Sequence, residues 1–291
     1  MKVLLAGATG AIGTELSRQL TEAGHEVTGL ARTAGTRAQL GVNLLDREAV
    51  LRAVDGLAFD AVIHQATALR RPPLTPGHMT TTNRLRTEGT STLLAVARET
   101  GAKKFVTASA FYGYGLRDHG PEPLSENEPF GTQTASRLDA VQLALLGNEQ
   151  QVRAAGGSAL RYGLVYGTGS MAVVAAGWNG LLPYIHLVDA AAAAVSALSR
   201  AKKGEVYNIA NDESATWREL QEAAANAAGR PAPRAVPPWL LRASAPFAGE
   251  LIAATSIRLS TAKAKRELRW KPRFASYAEG FASHRDLSLP A

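Results

Sequence analysis

No cysteine occurs among the 291 residues. Disulfides, thiolate metal sites and a thiol nucleophile are thereby excluded, and the absence suits a reducing compartment, so a cytoplasmic protein is expected. Aromatic residues make up only 6% of the chain, and the cationic residues are not interleaved with them in the way that binds single strands. The formal charge of +7 is spread along the sequence, densest between Lys263 and Lys271, and nucleic acid is not an expected partner. Long apolar runs are missing as well. The Ala-rich segment from Asp189 to Ser199 is too short and too weakly apolar to span a bilayer, and Gly and Thr interrupt MKVLLAGATG before a signal-peptide core forms, so no membrane is expected. The six His residues show no spacing such as His-Glu-x-x-His, which argues against a metal site.

What is present is a globular composition, 46% apolar and 20% charged, arranged as alternating short apolar runs and helical patterns. Strands are expected at Lys2 to Ala6, Glu26 to Ala31, Ala61 to His64, Lys104 to Ala108, Ser158 to Tyr162 and Val206 to Ile209. Helical patterns separate them at Ala11 to Ala23, Asp46 to Val54, Thr87 to Thr100, Thr134 to Ala155 and Asp189 to Arg200. This alternation predicts an α/β fold with a doubly wound, parallel Rossmann sheet. After Ile209 comes a helix at Thr216 to Ala228 and a Pro-rich break from Arg230 to Pro238, which reads as a smaller C-terminal lobe.

The first chemical motif is Gly7-Ala8-Thr9-Gly10-Ala11-Ile12-Gly13, lying after the first strand and opening the first helix. Glycines at this spacing let the backbone turn sharply and approach a pyrophosphate, whose charge then meets the free N–H groups of the helix N-terminus. Gly7, Thr9, Gly10, Ala11, Ile12 and Gly13 are therefore the candidate dinucleotide site. The second strand ends in Leu30-Ala31-Arg32, where an acid for the ribose 2′-hydroxyl of NAD is absent. Arg32, with Arg37 nearby, offers a guanidinium fork to a 2′-phosphate, so NADP(H) is expected and NAD(H) is the weaker candidate.

With GATGAIG, the segment Phe59-Asp60-Ala61-Val62-Ile63-His64-Gln65-Ala66, Asn83 followed by Glu88-Gly89-Thr90, Tyr166-Gly167, and Glu267-Leu268-Arg269-Trp270-Lys271-Pro272, the chain resembles an extended short-chain dehydrogenase/reductase of the NAD-dependent epimerase/dehydratase type over nearly its whole length. The resemblance implies an NADP-binding Rossmann domain, residues 1–165 and 186–210, and a small substrate lobe, residues 166–185 and 211–291. It also implies that Asn43 and Leu44 lie by the adenine, and that Ala66 and Thr67 line the nicotinamide side of the groove.

The chemistry of that family rests on a Ser or Thr, a Tyr and a Lys, the last two four residues apart. Here the pattern fails. Aligned on Tyr114-Gly115, Ala110 takes the hydroxyl position with Ser109 one residue early; aligned on Ser136-Arg137, Gln133 stands for the Tyr and Arg137 for the Lys. Gln has no titratable proton, and Arg keeps the charge that would hold the nicotinamide ribose but relays protons poorly. No Tyr occurs between Gly115 and Tyr162, so the usual phenol is missing. Ser109, Gln133 and Arg137 remain the candidates nearest the family's catalytic places. Tyr112, Tyr114, Tyr162, Tyr166 and Tyr184, together with His64, His119 and His186, are candidates for a relocated acid.

The stretch from Gly167 to His186 is short and apolar, with Met171, Val173, Val174, Trp178, Leu181 and Leu182, and Leu164 stands where relatives acting on nucleotide sugars often have Asn. A compact apolar or aromatic carbonyl or alcohol is the expected substrate, with Arg70-Arg71 available to meet an anion. A homodimer is left open. Three activities fit this reading: an NADP(H)-dependent oxidoreductase, a redox-neutral isomerase or lyase on the same scaffold, and a noncatalytic dinucleotide sensor.

Overall fold

Val3, Leu4, Leu5 and Ala6 are completely buried, as a strand covered on both faces requires. In the computed structural model, which describes residues 1–69, 71–131, 138–167 and 173–283, these residues form β1 (Lys2–Ala6). The first half continues with α1 (Ala11–Glu22), β2 (Glu26–Ala31), β3 (Leu40–Gly41), α2 (Arg47–Ala53) and β4 (Ala61–His64). A 3-10 turn at Pro76–Met79 leads into α3 (Thr80–Arg84), a π turn at Leu85–Gly89, α4 (Thr90–Glu99) and β5 (Lys104–Ala110). Next come a 3-10 turn at Phe111–Tyr114, α5 (Asp139–Ala154), β6 (Ser158–Tyr162), β7 (Leu164–Tyr166), β8 (Val173–Ala175), β9 (Leu181–His186), α6 (Leu187–Arg200) and β10 (Val206–Ile209). The last described elements are β11 (Ser214–Thr216), α7 (Trp217–Ala227), β12 (Arg234–Val236), α8 (Pro238–Ser244), α9 (Pro246–Ala253), α10 (Ala262–Leu268) and α11 (Tyr277–Ser283).

Seven strands form one parallel sheet in the order β10-β6-β5-β4-β1-β2-β3. The chain runs outward from β1 to β3 and then returns to lay β4 on the other side of β1. This reversal is the topological switch point, where the crevice beyond the strand ends takes ligands in open α/β sheets. One face of the sheet packs Val3, Leu5, Ile63, Val106 and Leu160 against Leu16 and Leu20 of α1 and the alanines of α6. The opposite face packs Leu4, Val62 and Phe105 against Val50 of α2, Leu93 and Val96 of α4, and Val152 of α5.

Smaller sheets, β11-β9-β7 and β12-β8, carry the chain beyond this core. Val174, Leu182, Trp217, Leu241, Ile252, Ile257 and Leu259 form their cluster, and it meets the Rossmann unit through Phe111 and Tyr114 at the end of β5. The C-terminal stretch does not stay wholly with this cluster. Ala264 and Leu268 of α10 and Trp270 pack with α1 and α6, and the Asp189 carboxylate accepts from the Arg273 and Phe274 backbone N–H groups at 2.7 and 3.3 Å.

The expected strands are present, with β5 two residues longer, and β3 is a two-residue addition that propensity alone does not mark. The helix expected from Thr87 starts at Thr80, because the π turn joins α3 to α4 without breaking the helical run. Asp46 and Thr216 are not helical residues but caps: Asp46 accepts from Ala49 N at 3.0 Å, and Thr216 forms a capping box with Glu219.

Candidate active site

Gly7 sits at φ +90°, in the left-handed region, and its N–H donates to Leu30 O at 2.9 Å. A β-carbon there would fall 2.7 Å from the Ala66 backbone, so the turn after β1 and the loop after β4 touch across the switch point. Gly13 meets the turn from the other side, since its β-carbon would stand 2.0 Å from Gly7 O. Gly10 precedes α1 as its N-cap with no side-chain cap, which leaves the first N–H groups of a twelve-residue helix for an external acceptor. A β-carbon on Gly10 would meet only Gly7 O, at 3.4 Å, and otherwise open space. The cradle therefore fits a pyrophosphate in shape and in charge.

Thr9, Ala31, Arg32 and Thr33 line one concavity beside this turn. Arg32 and Arg37 are exposed, and the loop between them folds back so closely that a β-carbon on Gly29 would meet Arg37 O at 2.4 Å. Asn43 is exposed with its side chain accepting from Leu45 N at 3.2 Å, while Leu44 is buried against Gly89. Ala66 is half-buried and Thr67 exposed, following His64 and Gln65 at the end of β4.

Ser109 lies on the face of β5 that looks toward α5. Its hydroxyl donates to Glu149 Oε1 at 2.6 Å, and Glu149 is in turn clamped by Arg161, Nε to Oε1 at 2.9 Å and Nη2 to Oε2 at 2.7 Å. Both charged side chains are almost completely buried, 4% and 2% exposed. Arg161 also donates to Tyr114 Oη at 2.7 Å and stacks on Phe130, 3.7 Å from the ring centroid, while Tyr114 donates to Asn208 Oδ1 at 2.8 Å. This closed network gives every charge a partner and holds β5, β6, α5 and β10 in register. Gln133 and Arg137, the other two catalytic candidates, lie outside the described residues, as do Arg70 and Met171.

The relocated-acid candidates separate by burial. Burial pushes Tyr114 up to about 12 despite the neighbouring Arg161, and raises Tyr162, Tyr166 and Tyr184 as well. Tyr162 receives a bond from Gln65 Nε2 at 3.1 Å, and Tyr166 packs edge-on against Tyr184 and at a tilt against Phe281. His64 is held at about 4, chiefly by burial, with Arg86 adding to the depression and the Leu85 carbonyl opposing it. Its Nδ1 accepts from Ala66 N at 3.3 Å, so Nε2 is the protonated nitrogen that donates to Leu85 O at 3.1 Å. His119 is likewise lowered by burial, and His186 caps α6 by accepting from Val188 N.

Tyr112 is the exception. It is only half-buried, in the 3-10 turn that leaves β5, and its ring meets Phe247 of α9 edge-on with centroids 6.0 Å apart. Its hydroxyl accepts from Arg86 Nη2 at 2.5 Å. Arg86, in the π turn, is 6% exposed and was not singled out by the sequence. Helical spacing carries the signal: Thr82, Arg86, Thr90 and Leu93 form one buried stripe, so a cation stands at a core position.

No group of His, Cys, Asp and Glu suited to a metal ion occurs among the described residues, and no helix there is long and apolar enough to cross a membrane.

Comparison with known proteins agrees with this architecture. The chain is 31% identical over 303 residues to a 3-diazoavenalumate denitrifying reductase of a Streptomyces species, covering 96% of this chain and 99% of that protein. It is 30% identical over 186 residues to the 2-alkyl-3-oxoalkanoate reductase of Stenotrophomonas maltophilia (strain K279a), covering 60% of this chain and 54% of that one. The crystal structure of the human epimerase family protein SDR39U1 with NADPH, 21% identical, superposes with a TM-score of 0.79 over 99% of this chain and all of that chain. Residues 3–210 match the model of the NAD dependent epimerase/dehydratase family. The chain belongs to that family, and it is an oxidoreductase that binds a nicotinamide dinucleotide.

Proposed function

We propose that the chain is an NADP(H)-dependent reductase of a compact, carboxylate-bearing substrate, and that the substrate carbon exchanges a leaving group for hydrogen instead of becoming an alcohol. The observation that carries this reading is the absence of any Tyr between Gly115 and Tyr162, together with burial of every other Tyr near the sheet edge except Tyr112. Reduction of a carbonyl leaves an alkoxide that requires a proton from a positioned acid. Displacement of dinitrogen does not. A bound reduced nicotinamide would supply hydride; replacement of the diazonium group by that hydride forms a C–H bond while the C–N electron pair leaves with N2, so no alkoxide is left to protonate. The Streptomyces relative is named as a denitrifying reductase of a diazo compound, and both named reductases act on compounds named as carboxylates.

In this reading Gly7, Thr9, Gly10, Ala11, Ile12 and Gly13 hold the pyrophosphate on the N-terminus of α1. Arg32 with Thr33 grips the 2′-phosphate, Asn43 and Leu44 border the adenine, and Ala66 and Thr67 border the nicotinamide. Arg137 holds the nicotinamide ribose by charge and Gln133 orients the substrate by hydrogen bonding. Ser109 stays outside the chemistry because its hydrogen is committed to Glu149. The apolar cluster of the lobe, with Val174 and Leu182, closes over the substrate and excludes water.

The test pairs a diazo-hydroxybenzoate with a hydroxybenzaldehyde of similar size. NADPH loss at 340 nm with one equivalent of N2, and deuterium from 4-deuterated NADPH on the former diazo carbon, is the expected result. Turnover of the aldehyde with none of the diazo compound overturns the leaving-group reading, and no NADPH loss with either overturns the reductase.

A further inference from the structure

Two arginines of this protein are buried to the same degree and treated differently. Arg161, 3% exposed, is neutralised by the two hydrogen bonds it donates to the Glu149 carboxylate. Arg86, 6% exposed, has no carboxylate within ion-pair distance among the described residues. Its guanidinium donates to Tyr112 Oη at 2.5 Å and to Asn83 Oδ1 at 3.4 Å, and it lies 5.5 Å from the centroid of the Tyr112 ring. All of these partners are neutral. His64, the nearest titratable group on β4, is itself kept uncharged at neutral pH. Burying a guanidinium without an opposing charge is costly.

Its location gives that missing charge a source. Arg86 sits in a π turn, a local insertion that commonly marks functional positions in helices. Tyr112 follows the end of β5, beside the end of β4, and so stands at the crevice next to the switch point. Leu69, three residues beyond Ala66, packs in the same cluster as Tyr112, and Phe247 reaches it from the lobe. The pair thus lies at the seam between the Rossmann unit and the lobe. With its oxygen accepting from Arg86, the Tyr112 hydroxyl has its own hydrogen left to donate.

We propose that Arg86 and Tyr112 form the subsite that receives the carboxylate of the substrate, with Arg86 as its counter-ion and Tyr112 as a second donor. This rests on the reductase reading above and names the residues that would make its substrate an organic anion. A carboxylate presents two oxygens to the two donors, and bringing it in converts a buried unpaired cation into a hydrogen-bonded pair. The lobe then shields that pair from water, and the anchored acid end fixes how far the reacting carbon extends toward the nicotinamide side.

The test uses protein saturated with NADP+ and calorimetric titration of cinnamate and benzoate against cinnamamide and benzamide, which keep the shape and lose the charge. The acids bind at least tenfold more tightly than their amides; Arg86→Gln abolishes that preference, Arg86→Lys keeps part of it, and Tyr112→Phe reduces it several-fold. NADP+ affinity stays at the wild-type level in all three variants. Equal binding of acid and amide, no binding of either acid, or a preference that survives Arg86→Gln overturns the proposal. Should Arg86→Gln fail to fold by circular dichroism, a preference unchanged in both remaining variants overturns it equally. Failure of the wild type to bind NADP+ sinks the reductase reading instead, so the two failures are distinguishable.

Discussion

The carbonyl oxygen of Gly7 stands 2.0 Å from the place a β-carbon on Gly13 would take. The turn and the first helix are therefore packed backbone on backbone, and the helix N-terminus is brought up to the Gly-rich cradle by the absence of one methyl group. Gly13→Ala forces α1 away from the turn. We expect at least a tenfold loss of NADPH affinity, by quenching or enhancement of nicotinamide fluorescence, with a stability loss of about 1–3 kcal/mol in urea melts. Unchanged affinity contradicts the assigned cradle.

Ser109 and Glu149 give a contrast between structure and chemistry. Ser109→Ala removes one donor from a buried carboxylate, which costs about 1–3 kcal/mol. Glu149→Ala leaves Arg161 buried without its counter-ion and costs about 3–5 kcal/mol. Urea melts measure both, and the serine variant keeps NADPH binding and turnover near wild type. A hundredfold loss of turnover in Ser109→Ala at unchanged stability assigns the hydroxyl to catalysis and contradicts this account.

The pH dependence of stability follows from His64. Its folded value, about 4, lies below the 6.5 of an exposed imidazole, so on acidification the unfolded chain takes up a proton that the folded chain refuses. The contribution is complete above pH 6.5 and is lost as pH falls from 6.5 toward 4, amounting to about 3 kcal/mol at most. Urea midpoints of wild type and His64→Gln, compared between pH 7.5 and 4, isolate this site, because His25 and His119 titrate in both proteins. The wild type loses more stability over that range than the variant; parallel slopes refute the assignment.

Much of this was legible in the amino-acid order because the relevant signals are local. The run Lys2–Ala6, the glycines at 7, 10 and 13 and the absence of an acid at Arg32 all act within a few residues of one another, and they fix a strand, a turn and a helix start. Asp46 and Thr216, first helical residues in the sequence pattern, are the caps of those helices, which moves only the helix boundaries. Partnerships across long separations were not legible. Ser109 meets Glu149 forty residues away, and nothing in either neighbourhood announces that a serine near the catalytic place is engaged by a carboxylate of the helix packed on its face of the sheet. Arg86 was hidden for a related reason. A lone arginine in a helical stretch reads as a solvated charge unless the buried stripe of Thr82, Thr90 and Leu93 is phased first, and the π turn shifts that phase.

The most direct test of the central claim is titration of the purified protein with NADPH and with NADH, repeated on Arg32→Ala. NADPH is expected to bind at least tenfold more tightly than NADH, and the variant to lose this preference by weakening NADPH alone. Equal affinity of the wild type for both, or a preference that survives in Arg32→Ala, would contradict the claim.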